Sequence, residues 1–464
     1  MTPVEGAADA GRHGFAADVA RILPLAWPVF IGQVAVLAFG TIDTVLVGRH
    51  SPEELAAFAV GAAAYVTIFV GFMGVVLAVS PIVGQLFGAR RLSQAGAELH
   101  QAVWLALALS ALGSVLLLYP QPFLWLAKAT PEVATRVHGY LQALAVALPA
   151  SLLFTAFRGF NTAVSRPKAV MGLQLAGLAL KLPLSAALVF GWPAAGVPEL
   201  GVTGAGIATA VAMWLQVTLA WALMRRDAFY APFGIWGRGW PAPDWRALKG
   251  LLRLGVPMGL AILIEVTGFS AMALLISRLG TVPVAGHQIA VNLVSMMFML
   301  PLALANATST LVAQRIGADD LADARRLGWH GLWLGAGLAA TLGAAVFAGR
   351  AWVVGWYTGD AAVAAAAVPL LAWLVVFHLA DAVQTIAAFV LRAWRIATVP
   401  MFIYAGALWG IGLGGGSLLG LSGAEAVPPS LRGAPGFWAA ATTGLVAAAV
   451  ALTGLMRWVL RPAR

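Results

Sequence analysis

Three carboxylates, Asp43, Glu265 and Asp381, lie within long apolar runs of the chain. An ionised carboxylate at the centre of a bilayer costs at least about 2.5 kcal/mol, so such residues normally face a water-filled cavity or one another. A carboxylate in such a place can hold a proton and release it when a cation binds. The three acids therefore predict an ion or substrate path, and exchange of one cation for another is a mechanism for antiport.

Other polar or adaptable side chains share helical faces with these acids or recur on one face of a neighbouring segment. They are spaced by three, four or seven residues, which places them on one side of a helix. A partly hydrated internal cavity requires such faces. The candidate cavity-lining residues are Gln33, Thr44, Met258, Gln288, Asn292, Met299, His378 and Gln384.

Two structural alternatives remain open for these residues. A single carboxylate within the membrane can be an interhelical hydrogen-bond clasp, worth under about 2 kcal/mol. Lys181 lies beside Pro183 in an apolar segment. It either pairs with a carboxylate of the N-terminal half or extends its ammonium group toward the membrane surface.

The composition indicates an all-α integral membrane protein. Hydrophobic residues make up 61% of the chain and charged residues 10%, against about 45–50% and 25% in soluble domains. Apolar stretches of about 20 residues, the length that spans a bilayer, predict twelve transmembrane helices. Their predicted bounds are 22–47, 56–80, 99–119, 138–158, 168–191, 203–224, 253–277, 284–308, 328–349, 367–391, 399–420 and 437–458.

Charge distribution predicts the orientation of these helices. Most Lys and Arg residues fall in the loops of one side, together with both termini, and this excess predicts that side to be cytoplasmic. We expect a multi-pass protein of the bacterial inner membrane that contacts the lipid bilayer. Since the basic residues do not cluster on one amphipathic face, no nucleic-acid partner is expected. The absence of cysteine excludes disulfides and thiolate chemistry.

An internal repeat divides the chain into two halves of six helices. One constant shift along the chain places Pro28 on Pro257, Ala56 on Ala285, and residues 84–91 on residues 313–320. An even number of helices returns the chain to its starting side, so the halves are parallel repeats related by an axis along the membrane normal. The predicted domains are a cytoplasmic tail (1–21), an N-lobe (22–226), a cytoplasmic loop (227–249) and a C-lobe (250–464).

Five short motifs are distributed along the chain. They are Ile42-Asp43-Thr44, Pro81-Ile82-Val83-Gly84-Gln85, Glu265-Val266-Thr267, Gly286-His287-Gln288-Ile289-Ala290-Val291-Asn292 and Asp381-Ala382-Val383-Gln384. In these motifs the chain resembles the multidrug and toxic compound extrusion (MATE) family, particularly its NorM-like bacterial branch. The resemblance covers nearly the whole chain and implies a V-shaped pair of six-helix lobes. It also implies export of varied, often cationic and aromatic compounds, coupled to inward flow of sodium ions or protons.

The resemblance also implies roles for the three acids. Glu265 and Asp381 match the C-lobe cation-coupling pair and form the candidate Na⁺ site, and Asp43 matches the N-lobe carboxylate of proton coupling. Some sodium-using relatives carry Tyr where this chain has Phe377, which removes one oxygen ligand. Both H⁺ and Na⁺ therefore remain open as the coupling ion, no other cofactor is expected, and a monomer is expected.

The sequence thus predicts a cation-coupled secondary antiporter that exports drug-like organic cations by alternating access. The alternative is a flippase for a lipid-linked or polysaccharide precursor, which would need a cationic cavity; one mid-helix cation, Lys181, against three acids disfavours it. An intramembrane enzyme is not expected, since G-x-G-D and H-E-x-x-H are absent. Gly410, Gly412 and Gly415 match a nucleotide fingerprint, but no strand precedes them, so we interpret them as helix-packing positions.

Overall fold

The computed structural model describes residues 14–127, 130–237, 239–421 and 428–461, and within these ranges it is helical apart from connecting turns and one isolated β-bridge. Residues 1–13 of the predicted cytoplasmic tail lie outside the described residues. The helices are α1 (Phe15–His50), α2 (Pro52–Val76), α3 (Val79–Gly88), α4 (Leu92–Leu118), α5 (Gln121–Ala127), α6 (Pro131–Ala163), α7 (Pro167–Phe190), α8 (Gly201–Arg226), α9 (Trp245–Ser277), α10 (Thr281–Gly317), α11 (Leu321–Ala348), α12 (Arg350–Tyr357), α13 (Ala361–Leu371), α14 (Leu374–Ala393), α15 (Thr398–Tyr404), α16 (Gly415–Leu421) and α17 (Ala434–Val459). A π-helix, Ala405–Gly414, joins α15 to α16.

Twelve spans of the described chain are long and apolar enough to cross a membrane. Each corresponds to one predicted segment, so the predicted all-α membrane fold is confirmed. The spans are longer than the predicted segments at most ends because polar residues extend the helices beyond the apolar stretch. α9, for example, begins at Trp245 instead of residue 253.

Two predicted segments are interrupted by turns. The segment 56–80 divides into α2 and α3 at Leu77 and Ala78, because Pro81 has no N–H to donate to the Leu77 carbonyl. Ser80 N–H donates to that carbonyl instead, at 3.0 Å. The segment 367–391 divides between α13 and α14, where Ala372 N–H donates to the Pro369 carbonyl at 3.2 Å. Each turn redirects a helix within the apolar part of the chain.

The turns that follow corresponding helices have the same backbone conformation in both halves. Arg90, Ser165, Asp319 and Arg395 all adopt φ near 60°, a left-handed conformation that is uncommon outside glycine. Arg90 and Asp319 are related by the same shift that places Pro28 on Pro257. The repeat is therefore present in the backbone and not only in the sequence.

The described chain forms two compact units that divide inside helices. One unit comprises Ile31–Val266 and the other Met1–Phe30 with Thr267–Arg464, so α1 and α9 each contribute to both. In the first unit α6 packs against α2, α4 and α8; in the second α14 packs against α10, α11 and α17. α6 and α14 are the most buried of the twelve spans, and they occupy corresponding places in the two repeats.

The segment between α8 and α9 is fixed on α4 within the Ile31–Val266 unit. Trp104 Nε1 donates to the Pro241 carbonyl at 2.9 Å. Gln101 accepts from Asp244 N–H at 2.8 Å and donates to the Ala242 carbonyl at 3.1 Å. These bonds position the start of α9.

Two of the glycines that match the nucleotide fingerprint, Gly410 and Gly412, lie in the π-helix, and the third, Gly415, is the first residue of α16. A Cβ added at Gly444 of α17 would lie 3.2 Å from the Gly412 nitrogen, and one at Gly415 would lie 3.5 Å from the Ala440 Cβ. Small residues therefore let α17 approach this segment closely, as the helix-packing interpretation requires.

Candidate functional site

Asp43 forms a buried ion pair with Lys181. The Lys181 ammonium group lies 2.9 Å from Asp43 Oδ2, and Ser185 Oγ donates to Asp43 Oδ1 at 3.2 Å. Lys181 is fully buried and Asp43 is 4% exposed. Removing two charges from water costs several kcal/mol per ion, so the pair persists only because hydrogen bonds add to its mutual attraction.

The positions of these residues follow from the helices that carry them. Asp43 comes from α1, and Lys181 and Ser185 lie one turn apart on α7. Thr209 of α8 accepts a second hydrogen bond from Lys181, at 2.5 Å. The ammonium group also lies 5.4 Å from the centre of the Phe39 ring. Lys181 thus pairs with a carboxylate, which is one of the two alternatives that the sequence left open.

Asp381 belongs to a second buried network, which is centred on Gln384. Gln384 Nε2 donates to Asp381 Oδ1 and to Thr385 Oγ1, both at 2.9 Å. Tyr404 OH donates to Gln384 Oε1. Asp381, Gln384 and Thr385 belong to α14, and Tyr404 ends α15. Gln384 therefore links the carboxylate to the π-helical segment, which begins directly after Tyr404.

Two histidines are buried in the same unit. His378 precedes Asp381 by three residues, is fully buried, and has no hydrogen-bond partner for either ring nitrogen in the described structure. His287 accepts a hydrogen bond from Trp438 Nε1 at 3.2 Å. Phe377 packs against Trp438 with ring centres 5.3 Å apart, so the position where some sodium-using relatives carry Tyr is filled by an aromatic contact.

Glu265 is half-buried on α9. It lies in the Ile31–Val266 unit, and Asp381 lies in the other. Its pairing with Asp381 in a Na⁺ site stays a prediction. Across the described residues, no group of three or more His, Asp or Glu side chains could hold a metal ion. The predicted Na⁺ site has only two carboxylates, so this finding does not test it.

Gln288 and Asn292 are exposed, one turn apart on α10. Asn292 Oδ1 accepts from Tyr357 OH at 2.9 Å, and the Tyr357 side chain is 41% exposed. Exposed polar groups inside an apolar span are the groups that a hydrated cavity needs. Gln288, Asn292 and Thr44 are the exposed members of the predicted lining set, and their place in a cavity stays a prediction.

The remaining predicted lining residues have diverse environments. Thr44 is exposed and donates to the Gly40 carbonyl of its own helix at 2.8 Å. Gln33 and Met299 are half-buried. Met258 is 3% exposed and belongs to the packed interior of its unit.

The sequence did not indicate several members of the two networks. Ser185 follows Lys181 by four residues, so helical spacing could have included it. Thr385 likewise follows Asp381 by four residues and shares its predicted helical face. Thr209 and Tyr404 have no such signal, because single hydroxyls are common in apolar helices and often bond to the preceding turn. Thr209 does so as well, donating to the Ala205 carbonyl at 3.0 Å.

A third cluster of charges fixes the start of α1. Asp18 is fully buried. Its carboxylate lies 3.1 Å from an Arg21 nitrogen and 2.7 Å from His330 Nδ1. Arg326 Nε lies 3.1 Å from Asp18, and another of its nitrogens contacts Asp323. Arg21 also bonds to Asp323, at 3.0 Å. All five residues belong to one unit, and they join the first turns of α1 to α11.

The fold and these buried groups define a polytopic helical membrane protein built from two repeats, each with a buried carboxylate network, and this is the architecture of a membrane transporter. Residues 28–187 and 257–416 each match the MatE family model, and the two matches begin at Pro28 and Pro257, the residues that the predicted repeat superposes. The chain belongs to the MatE family. This match confirms the predicted family and the predicted repeat. Members of this family are transporters, which also confirms the prediction that the chain is not an enzyme.

Curated relatives cover almost all of the chain. A probable multidrug resistance protein NorM from Aromatoleum aromaticum is 39% identical over 443 residues, which span 95% of this chain and 94% of the relative. The multidrug resistance protein PmpM from Pseudomonas aeruginosa is 34% identical over 437 residues, 94% of this chain and 90% of the relative. Both are bacterial, in agreement with the predicted multi-pass protein of a bacterial inner membrane.

Solved structures show the same fold. The eukaryotic MATE transporter AtDTX14 superposes with a TM-score of 0.85 at 21% identity, covering 96% of this chain and 97% of the other. The Vibrio cholerae MATE transporter VcmN in its bent form superposes with a TM-score of 0.82 at 18% identity, covering 96% of this chain and 98% of the other.

Proposed function

We propose that this protein is a multidrug exporter that exchanges organic cations for inward-moving protons or sodium ions by alternating access. The multidrug resistance relatives support the substrate class. The observation that carries the exchange mechanism is the buried Asp43–Lys181 pair, with its 2.9 Å contact.

The sign of the coupling follows from the charges of this pair. With both groups ionised the pair has no net charge. If Asp43 takes a proton, Lys181 keeps its charge without a counter-ion, and the site becomes positive. A cationic substrate is then repelled through a medium of low dielectric constant. Proton binding therefore weakens substrate binding, and by reciprocal linkage substrate binding weakens proton binding.

We also propose a coupling role for Asp381 and, from the family resemblance, one for Glu265. Gln384 donates to Asp381 and orients the carboxylate. Neutralising Asp381 with H⁺ or Na⁺ removes a negative charge that would otherwise attract the cationic substrate. Both ions are retained in the proposal, since carboxylate oxygens bind either. A membrane potential adds about 2.3 kcal/mol per charge per 100 mV to inward cation flow.

The flippase alternative is not favoured. A precursor with a pyrophosphate group would need uncompensated positive charge in the membrane. Lys181 is the mid-helix cation that the sequence offers, and Asp43 neutralises it at 2.9 Å. Export of cations does not require that charge to be free.

The test is transport in proteoliposomes. Purified protein is reconstituted with ethidium as the cationic substrate, and either a proton gradient or a sodium gradient is imposed. We expect one gradient to drive ethidium accumulation, and we expect Asp43→Asn, Glu265→Gln and Asp381→Asn each to reduce the rate at least about tenfold, the effect of about 1.4 kcal/mol.

Asp319→Asn is the matched control for these variants. It removes the same charge from an exposed turn residue and should leave transport unchanged. Ethidium accumulation at the wild-type rate in a well-folded Asp43→Asn variant would remove Asp43 from the coupling mechanism. No movement under either gradient, with the protein shown to be folded, would contradict the proposal.

A further inference from the structure

An open groove lies at the C-terminal end of α8, away from the carboxylate networks. It has a volume of about 580 Å³ and is lined by Thr218, Trp221, Ala222, Arg225 and Arg226. Thr218, Trp221 and Arg225 are exposed and lie on one helical face. They extend over about 10 Å, at 1.5 Å per residue. The groove therefore runs from an apolar, aromatic part to a doubly cationic end.

The positive charge of this end is not compensated by the protein. Neither Arg225 nor Arg226 has an ion-pair or hydrogen-bond partner among the described residues. The adjacent acid, Asp227, accepts from Phe229 N–H at 2.9 Å and pairs with Arg166. These two contacts hold the pKa of Asp227 below its usual range, so the acid stays ionised and is already bound to another cation.

The aromatic part of the groove is rigid. Trp221 stacks on Trp236 of the segment after α8, with ring centres 5.4 Å apart and planes at 19°. Trp236 Nε1 donates to the Met224 carbonyl at 3.1 Å. Tryptophan is typical of the membrane–water interface. The charge distribution predicts this end of α8 to be cytoplasmic, where the leaflet is rich in anionic lipid.

We infer that this groove binds one anionic phospholipid, with its phosphodiester group between Arg225 and Arg226 and its glycerol and first acyl carbons along Trp221. A guanidinium group binds phosphate oxygens through two parallel N–H donors. The indole provides an apolar surface at the depth where the headgroup ends. The site is separate from the proposed substrate path and does not depend on the coupling ion.

The absence of cysteine in the chain allows a direct test with a single Ala222→Cys label. A small fluorophore on the introduced thiol is measured in nanodiscs that contain either nitroxide-labelled phosphatidylglycerol or nitroxide-labelled phosphatidylcholine at equal mole fraction. We expect clearly stronger quenching by the anionic lipid. Each basic residue near a membrane surface contributes about fivefold to anionic lipid binding, so Arg225→Gln with Arg226→Gln should reduce that preference at least about tenfold.

The double variant Arg90→Gln/Arg91→Gln is the matched control. It removes two exposed arginines that are also predicted to lie on the cytoplasmic side, and it leaves the groove intact. Equal quenching by the two lipids would overturn the inference. So would the same loss of preference in the control variant. Inorganic phosphate is the third arm: if it abolishes quenching by the anionic lipid, the groove is a phosphate site and not a lipid site. A label on Ala318→Cys, outside the groove, reports non-specific enrichment of lipid.

Discussion

At the scale of residues, the central feature is a carboxylate that is neutralised inside the protein by its own cation. Asp43 was recognisable from the sequence because an acid in an apolar run is costly. Its environment was predictable only in part: pairing with Lys181 was one of two alternatives, and Thr209, from a third helix, gave no signal. Hydropathy locates a buried charge, but only tertiary packing decides which group neutralises it.

Substituting Lys181 should destabilise the protein through Asp43. In Lys181→Gln a buried carboxylate loses its counter-ion, a change that costs about 3–5 kcal/mol. We expect a marked fall in thermal unfolding temperature, measured in detergent, and recovery of most of that loss in the double variant Asp43→Asn/Lys181→Gln. Lys168→Gln, at an exposed position on the same helix, should leave the unfolding temperature unchanged. A Lys181→Gln variant as stable as the wild type would contradict the ion pair.

At the scale of elements, the twelve spans follow from hydropathy, and the interruptions follow from Pro81 and the turn after Pro369. The anchoring of α1 was not predictable. Asp18 and Arg21 resemble ordinary tail charges in the sequence, yet they bond to α11 through Asp323 and His330, more than 300 positions later. Such a contact leaves no trace in local spacing.

Loss of the Asp18 charge should weaken the attachment of α1. Asp18 is fully buried between Arg21, Arg326 and His330, so Asp18→Asn removes the anion that these three donors share. Arg21 and Arg326 keep Asp323 as a partner. We expect a loss of about 3 kcal/mol, seen as a lower unfolding temperature. The control Asp319→Asn keeps a left-handed φ of 61° that asparagine tolerates and should change stability by less than about 0.5 kcal/mol. Equal effects of the two substitutions would contradict the anchoring role.

At the scale of the whole molecule, the repeat could be predicted because helix starts and turns recur at one constant offset, and the two family matches, which begin at Pro28 and Pro257, have the same offset. The division into compact units could not be predicted, since it falls inside α1 and α9 and not in a loop. Each of these helices joins the two units covalently, so a movement of one unit must be accommodated within a helix.

The orientation of the chain can be measured with single cysteines. Because most Lys and Arg residues lie on one side, the loop after α10 should be cytoplasmic and the loop after α12 external. A membrane-impermeant maleimide should label Gly359→Cys in intact cells, and Ala318→Cys only after permeabilisation. Both sites are exposed in the structure. The opposite labelling pattern would mean that the termini face outward.

The most direct test of the antiport mechanism is the affinity of the purified protein for ethidium as the coupling ions are varied. Fluorescence titration is carried out over a range of pH, with sodium present or replaced by choline. We expect protons or sodium ions to weaken ethidium binding, and we expect Asp43→Asn or Asp381→Asn to reduce this dependence. An ethidium affinity that is the same at every pH and sodium concentration would contradict competition between substrate and ion, and with it the proposed mechanism of exchange.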